Sequence, residues 1–500
     1  MFVYLLLPAL VLADPVLHTS TGKLHGFLKT SENGVDGEVY HSVPFARPPV
    51  GDLRFERPVP YEDPEAVVDA TKEHPDCPQH LVALSEKTFI NFTRNSEDCL
   101  YLNIFKPVTN ETDLPIVYYI YGGSFLHGSA NFFLTDGDIL ATETNVIYVI
   151  VNYRLGVFGF LTSGGSMAPG NQGLWDILEG LRWTKKNARA IGGNPENITI
   201  WGHSAGAIAA GIFMTSPITE NLFHHAILQS GATKTGHVLF QQNSPEVTAR
   251  TLVRLGCLQD ADQYERSRDK AIRCAKKLDV ETILSELAPK GFDLDIISFQ
   301  PVIGDDLIPV DPFVKRQKLH SAKSLLVTSC ATEGVVFLEI LRVRGADLVE
   351  GVGDLRFMMA LGTKQLLQIP VSAASKIAYS YFDDQSEPDL KSAETILQRY
   401  ISDMLFICPI EFFTDAAEAN GIPVYRASFE ARPSWSPWPS YSVAAHGDDL
   451  PILSGQALGY AKNVKKSYVV PDVGDLNMTA AEVSWTFDTM RIIGEYLHNG

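Results

Sequence analysis

Residues 198–215 read ITIWGHSAGAIAAGIFMT, and this stretch constrains the fold more than any other in the chain. A β-branched apolar run, Ile198–Gly202, ends in Gly202-His203-Ser204-Ala205-Gly206, and a helical run of small apolar residues, Gly206–Thr215, follows at once. A strand that passes into a helix with no loop between them needs a sharp turn. The residue at the apex is forced into a strained conformation, and glycines two positions before and two after relieve the crowding. The apex is Ser204, whose hydroxyl is thereby presented at the end of a sheet. The helix that follows aims its N-terminus, with its partial positive charge, at any anion that develops there. Ser204 is the candidate nucleophile.

Further strand-like runs lie at Ile116–Tyr121, Val146–Asn152, His225–Gln229, Ser324–Ser329 and Val424–Phe429, with a clear helical pattern at Gly173–Ile191. Strands that are apolar along their whole length and alternate with helices predict an α/β fold with a large, mostly parallel central sheet covered by helices on both faces. No internal repeat or low-complexity segment breaks this pattern, so residues 14–500 read as a single domain.

The chain opens MFVYLLLPALVLA, with small residues Val11 and Ala13 where a signal peptidase reads, so residues 1–13 are expected to be a signal peptide and the protein secreted. Four Asn-x-Ser/Thr sequons, at Asn91, Asn110, Asn197 and Asn477, are consistent with a secreted glycoprotein. Six cysteines allow fifteen pairings. Cys77 with Cys99 and Cys257 with Cys274 are close in sequence, and each disulfide would staple a surface loop. Spacing leaves the state of Cys330 and Cys408 open. There is no CxxC cluster, so no metal is expected, and nothing calls for a cofactor. No window is long and apolar enough for a transmembrane segment. The formal charge of −18 excludes nucleic acid as a partner; it serves solubility, with steering of cationic substrates as the alternative.

A nucleophile of this kind needs donors for an oxyanion. Tyr121-Gly122-Gly123-Ser124-Phe125 lies just beyond a strand, where glycines let backbone N–H groups approach a carbonyl oxygen. Gly123 and Ser124, with Ala205 after the nucleophile, are the expected donors of the oxyanion hole. A long loop, Ala431–Tyr441, holds three prolines and two tryptophans and leads to a histidine.

At this point the chain resembles the type-B carboxylesterase and cholinesterase family. The resemblance rests on the elbow together with Pro48-Pro49-Val50-Gly51-Asp52-Leu53-Arg54-Phe55, Ser96-Glu97-Asp98-Cys99-Leu100-Tyr101-Leu102-Asn103-Ile104, Asn152-Tyr153-Arg154-Leu155-Gly156 with Phe158-Gly159-Phe160, and Gly170-Asn171-Gln172-Gly173-Leu174-Trp175-Asp176, in the family's order. It implies an α/β-hydrolase fold and a serine esterase that forms an acyl-enzyme on small to medium carboxylic esters. It also implies the partners of Ser204. The family's acid, a glutamate followed by glycine after a late strand, is matched by Glu333-Gly334. Its histidine, in a His-Gly-acid segment after a Pro/Trp-rich loop, is matched by His446-Gly447-Asp448. The chain order serine, acid, histidine is the order of that fold.

The resemblance further implies internal salt bridges Arg54–Glu97 and Arg154–Asp176, a buried Ser230 near the acid, and the two disulfides. Relatives pair a cysteine at the Cys408 position with one near a longer C-terminus, so the C-terminus is read as incomplete. Two departures narrow the substrate. Phe89 stands where cholinesterases place the tryptophan that binds quaternary ammonium, and His203 stands where they place glutamate. A general carboxylesterase is therefore expected. A choline-ester or hormone-ester specialist and a catalytically silent adhesion relative are the alternatives. His203, beside the nucleophile, is also a candidate modulator of His446.

Overall fold

The computed structural model describes residues 14–500 apart from 81, 86–87, 91–93, 234–243, 289–297, 312–317, 344–354, 368, 383–389, 440–441, 460–467 and 470–477. The expected signal peptide and the sequons at Asn91 and Asn477 lie outside the described residues.

The central sheet is built, in chain order, from β1 (Phe27–Thr30), β2 (Asp36–Pro44), β3 (Tyr101–Pro107), β4 (Leu114–Ile120), β5 (Ile147–Val151), β6 (Gly193–His203), β7 (His225–Gln229), β8 (Ser324–Cys330) and β9 (Val424–Phe429). Across the sheet the order is β9-β8-β7-β6-β4-β5-β3-β2-β1. Strands β4 to β9 are parallel to their neighbours within that group. Strands β1, β2 and β3 form an antiparallel flank. Every residue of β4 and β5 is buried, which is why both read as unbroken apolar runs. The strand expected at 198–202 begins earlier, at Gly193, with an irregularity in register between Gly193 and Ile198. The helix expected to reach Ile191 ends at Asn187: it is α1 (Gln172–Asn187).

The topology fixes where a site must form. After β4 the chain pairs β5 on one side of that strand, then returns to lay β6 on the other. A crevice opens at the carboxyl ends of parallel strands where the order reverses in this way. The glycine-rich segment leaves the end of β4, and Ser204 leaves the end of β6. Helix α2 (Ala205–Thr215) then runs back against the sheet, buried from Ala205 to Met214. A helix buried all round is apolar all round, and its small residues let it sit close to the strands.

The two expected disulfides are present, Cys77–Cys99 and Cys257–Cys274. Cys330 is a buried free thiol and Cys408 an exposed one, so they do not pair with each other. Arg54 grips Glu97 through two hydrogen bonds of 2.6 Å and also donates to the carbonyl oxygens of Ala275 and Leu278. Arg154 grips Asp176, through Nε at 2.7 Å and Nη2 at 2.6 Å. Both pairs are buried and bidentate, the geometry in which an arginine–carboxylate pair is strong. Asn110 is exposed, whereas the side-chain amide of Asn197 donates to the carbonyl of Leu497 at 3.3 Å, so Asn110 is the more accessible of the two described sequons. Among the described residues no helix is long and apolar enough to cross a membrane.

Candidate active site

Ser204 has φ 53° and ψ −119°, a conformation rare for a residue with a side chain. The turn closes because its glycines lack a Cβ. One added at Gly202 would lie 2.1 Å from the carbonyl oxygen of Gly206, and one at Gly206 would lie 2.0 Å from that of Ile120. The Ser204 amide donates to the carbonyl of Gln229 at 2.8 Å, which pins the turn to the end of β7.

His446 meets Ser204 and Glu333 on opposite edges of its ring. Its Nε2 lies 2.9 Å from Ser204 Oγ and its Nδ1 lies 2.5 Å from Glu333 Oε2. Only one tautomer satisfies both contacts: Nδ1–H donates to the carboxylate, and Nε2 accepts from the serine hydroxyl. Glu333 is fully buried, and its other oxygen accepts the Cys330 amide at 2.7 Å. It sits between β8 and helix α3 (Gly334–Val343). The turns bearing the acid and the histidine are joined: the amide and the hydroxyl of Thr332 both donate to the carbonyl of Ala444, at 2.9 and 2.8 Å.

Gly123 and Ser124 lie beside this turn on a segment with three successive positive φ values, Gly123 at 114°, Ser124 at 57° and Phe125 at 60°. A Cβ at Gly123 would fall 1.9 Å from the carbonyl oxygen of His127, so the backbone closes here only around glycine. The amides of Leu126 and His127 donate back to the Gly123 carbonyl, Gln300 Nε2 donates to the Ser124 carbonyl at 2.9 Å, and the Gly156 amide donates to Phe125. A Cβ at Gly122 would lie 2.8 Å from Ser204 Cβ, which sets the distance between this segment and the elbow. Ala205, at the first turn of α2, is the third expected donor.

Ser230 is fully buried behind the elbow, beside the Cys330 thiol. His203 is buried too, its ring 4.9 Å from that of His446. Burial, and then the neighbouring imidazole, hold its pKa well below the ordinary value. Phe89, the expected departure at the choline position, lies in the short strand Thr88–Ile90.

Several contacts at the site carry no signal that sequence reasoning used, although Asp448 itself is read there as the acid of the His-Gly-acid segment. Phe406 and Phe337 place their rings 4.8 and 5.6 Å from that of His446. Phe406 belongs to a π-helical turn, Asp403–Ile407, between two α-helices. Ser402, just before that turn, accepts the amide of Gly334 at 2.8 Å and so anchors the start of α3. Asp448, two residues after the histidine, accepts the Ala445 amide at 3.0 Å and the Ser436 hydroxyl at 2.9 Å. Burial raises its pKa to about 6 despite these bonds. The Pro/Trp-rich loop is recognisable in the sequence, but its hydrogen bonding to Asp448 is not.

The arrangement holds a hydroxyl against an imidazole and the imidazole against a buried carboxylate, next to a backbone segment of unusual conformation. Among the described residues no group of histidine, cysteine and acidic side chains is disposed to hold a metal.

Comparison with known proteins gives the family. Residues 13–470 match the model of the carboxylesterase family. The chain is 30% identical to an acetylcholinesterase of Leptinotarsa decemlineata, over 89% of this chain and 75% of the relative. It is 30% identical to the cocaine esterase of Homo sapiens, over 88% and 78%, and 29% identical to acetylcholinesterase 1 of Caenorhabditis elegans, over 91% and 76%. With the α/β sheet, the strand-end crevice and nearly the whole chain matched, the protein belongs to the carboxylesterase family, a family of carboxylic-ester hydrolases.

Proposed function

We propose that this protein is a secreted serine esterase that hydrolyses small to medium carboxylic esters through an acyl-enzyme on Ser204. His446 takes the serine proton as the hydroxyl attacks the ester carbonyl, then delivers it to the departing alcohol. Water repeats the sequence to release the acid. Glu333 holds the imidazole in the required tautomer and stabilises the imidazolium. The N–H groups of Gly123, Ser124 and Ala205 receive the oxyanion, each contributing roughly 2.7–4 kcal/mol to the transition state. The observation that carries this reading is the Ser204–His446–Glu333 relay, with contacts of 2.9 and 2.5 Å. Secretion rests on the leader 1–13 and the sequons, with residues 14–500 as one catalytic domain.

The test is labelling with an organophosphate followed by peptide mapping. An adduct on Ser204, lost in Ser204→Ala together with ester hydrolysis, is the expected result; an unlabelled Ser204 overturns the reading. The names of two relatives favour a second reading, choline-ester hydrolysis. Phe89 and His203 weigh against it, because neither supplies the tryptophan face or the carboxylate that attracts a quaternary ammonium. Comparing kcat/KM for acetylthiocholine with that for a short aryl ester separates the two. The general reading expects the aryl ester to be preferred.

A further inference from the structure

The loop before His446 is built around one side chain. Arg432 Nη1 donates to the carbonyl of Pro439 at 3.1 Å, and to the carbonyl and the hydroxyl of Ser442 at 3.3 and 2.7 Å. Its Nη2 donates to the carbonyls of Ser436 and Trp438 at 3.0 and 2.7 Å. These acceptors come from four residues and none of them is a carboxylate. A guanidinium satisfies such a set because its N–H groups lie in one plane in a fixed fork; an ammonium is a point charge on a flexible stem and cannot. The arginine is therefore used for its shape as much as for its charge.

What the loop then holds is the catalytic histidine. Ser436, whose carbonyl Arg432 fixes, donates its hydroxyl to Asp448 at 2.9 Å, and Asp448 in turn receives the amide of Ala445, the residue before His446. Trp438, whose carbonyl Arg432 also fixes, belongs to one buried apolar cluster with Val335, Val336 and Ala445, which joins the loop to the helix that follows Glu333 and to the residue before His446. Both partners of Ser204 are thus referred to a single hub.

We propose that Arg432 is a positioning residue for the reaction: its guanidinium winds the loop about itself and, through Ser436, Trp438 and Asp448, sets His446 relative to Ser204 and Glu333. The inference rests on the esterase reading above. A misplacement of about one ångström in such a relay costs about 100-fold in rate.

The experiment uses the full chain with an aryl ester, kcat being expressed per site titrated by organophosphate. Arg432→Lys keeps the charge and loses the fork; it is expected to lower kcat by about 100-fold with KM little moved. Arg432→Ala is expected to lose as much and to recover part of its kcat on addition of millimolar guanidinium, which leaves Arg432→Lys unaffected. Should Arg432→Ala fail to fold, Arg432→Lys decides alone. An unchanged kcat per titrated site in Arg432→Lys overturns the proposal, as does a loss that appears only as fewer titratable sites, which is what a purely structural arginine would give. A folded Arg432→Ala that guanidinium does not restore also overturns it. If the unsubstituted chain neither hydrolyses the ester nor takes up the organophosphate, the esterase reading fails, and that result is distinct from every outcome above.

Discussion

His203 and Gly123 act through what their neighbours leave them. The ring of His203 lies against His446, its Nε2 buried without a hydrogen-bond partner among the described residues. Burial first, and the adjacent imidazole second, depress its pKa well below 6.5, so it stays neutral through the range in which an esterase works. A ring that does not ionise cannot tune His446 by its charge. His203→Gln is accordingly expected to leave the acid limb of the kcat/KM profile in place; a displaced limb would show that His203 titrates there. The same depression has a sign for stability. Below its ordinary pKa the unfolded chain binds a proton that the folded chain refuses, so His203 costs stability on the acid side and its replacement removes that cost. Gly123 gives the sharper expectation. With a Cβ 1.9 Å from the His127 carbonyl, Gly123→Ala has to displace the backbone that presents two of the proposed oxyanion donors. A loss of about 10²–10³ in kcat is expected, measured against organophosphate-titrated sites.

At the scale of elements, what could be read from sequence was what is local. Strands β4 and β5 are buried on both faces and so appear as apolar runs, and the elbow condenses strand, turn and helix into eighteen residues, 198–215. The antiparallel flank escaped because β1 and β2 carry Lys29, Asp36, Glu38 and Ser42 among their apolar residues and pair by contacts that no period records. Glu333 and His446 stand 113 residues apart, and His446 stands 242 from Ser204, so spacing could not join them and only resemblance did. The π-helical turn that carries Phe406 onto His446 has no sequence signature of its own, since one wide turn inside a helix leaves the apolar pattern almost unchanged. The disulfides were legible because their loops are short. Cys257–Cys274 links the segment after helix Pro245–Arg254 to helix Tyr264–Ala275. Replacing both cysteines with alanine is expected to cost about 3 kcal/mol of stability and to leave kcat per titrated site unchanged. Thermal unfolding and the ester assay together check this, and a fall in kcat would place these helices within the catalytic unit.

For the molecule as a whole, several carboxyls are buried, and one of them is held neither by an arginine, as Asp176 is, nor by an imidazole, as Glu333 is. Asp449, three residues after His446, is fully buried, and beyond a weak interaction with the Gln229 side chain neither of its oxygens closes a hydrogen bond among the described residues. Burial, and then the charge of Glu333, push its pKa up to about 7, against which Gln229 and His446 act only weakly. The unfolded value is 3.8, so between about pH 4 and pH 7 the folded chain holds a proton that the unfolded chain has released. Stability contributed at this position therefore falls as pH rises through that window and levels off above it, where the carboxylate is ionised in both states and only the folded one bears the burial. An asparagine side chain in the same place would have nearly the same shape and no charge to bury. Asp449→Asn is thus expected to change the unfolding free energy little below about pH 4, to gain stability progressively up to about pH 7, and to hold a gain on the order of 4 kcal/mol beyond it. Denaturant unfolding of the two chains across that range measures the difference directly. A difference that does not vary with pH would mean that Asp449 is ionised in the folded protein throughout, with a compensating partner close by.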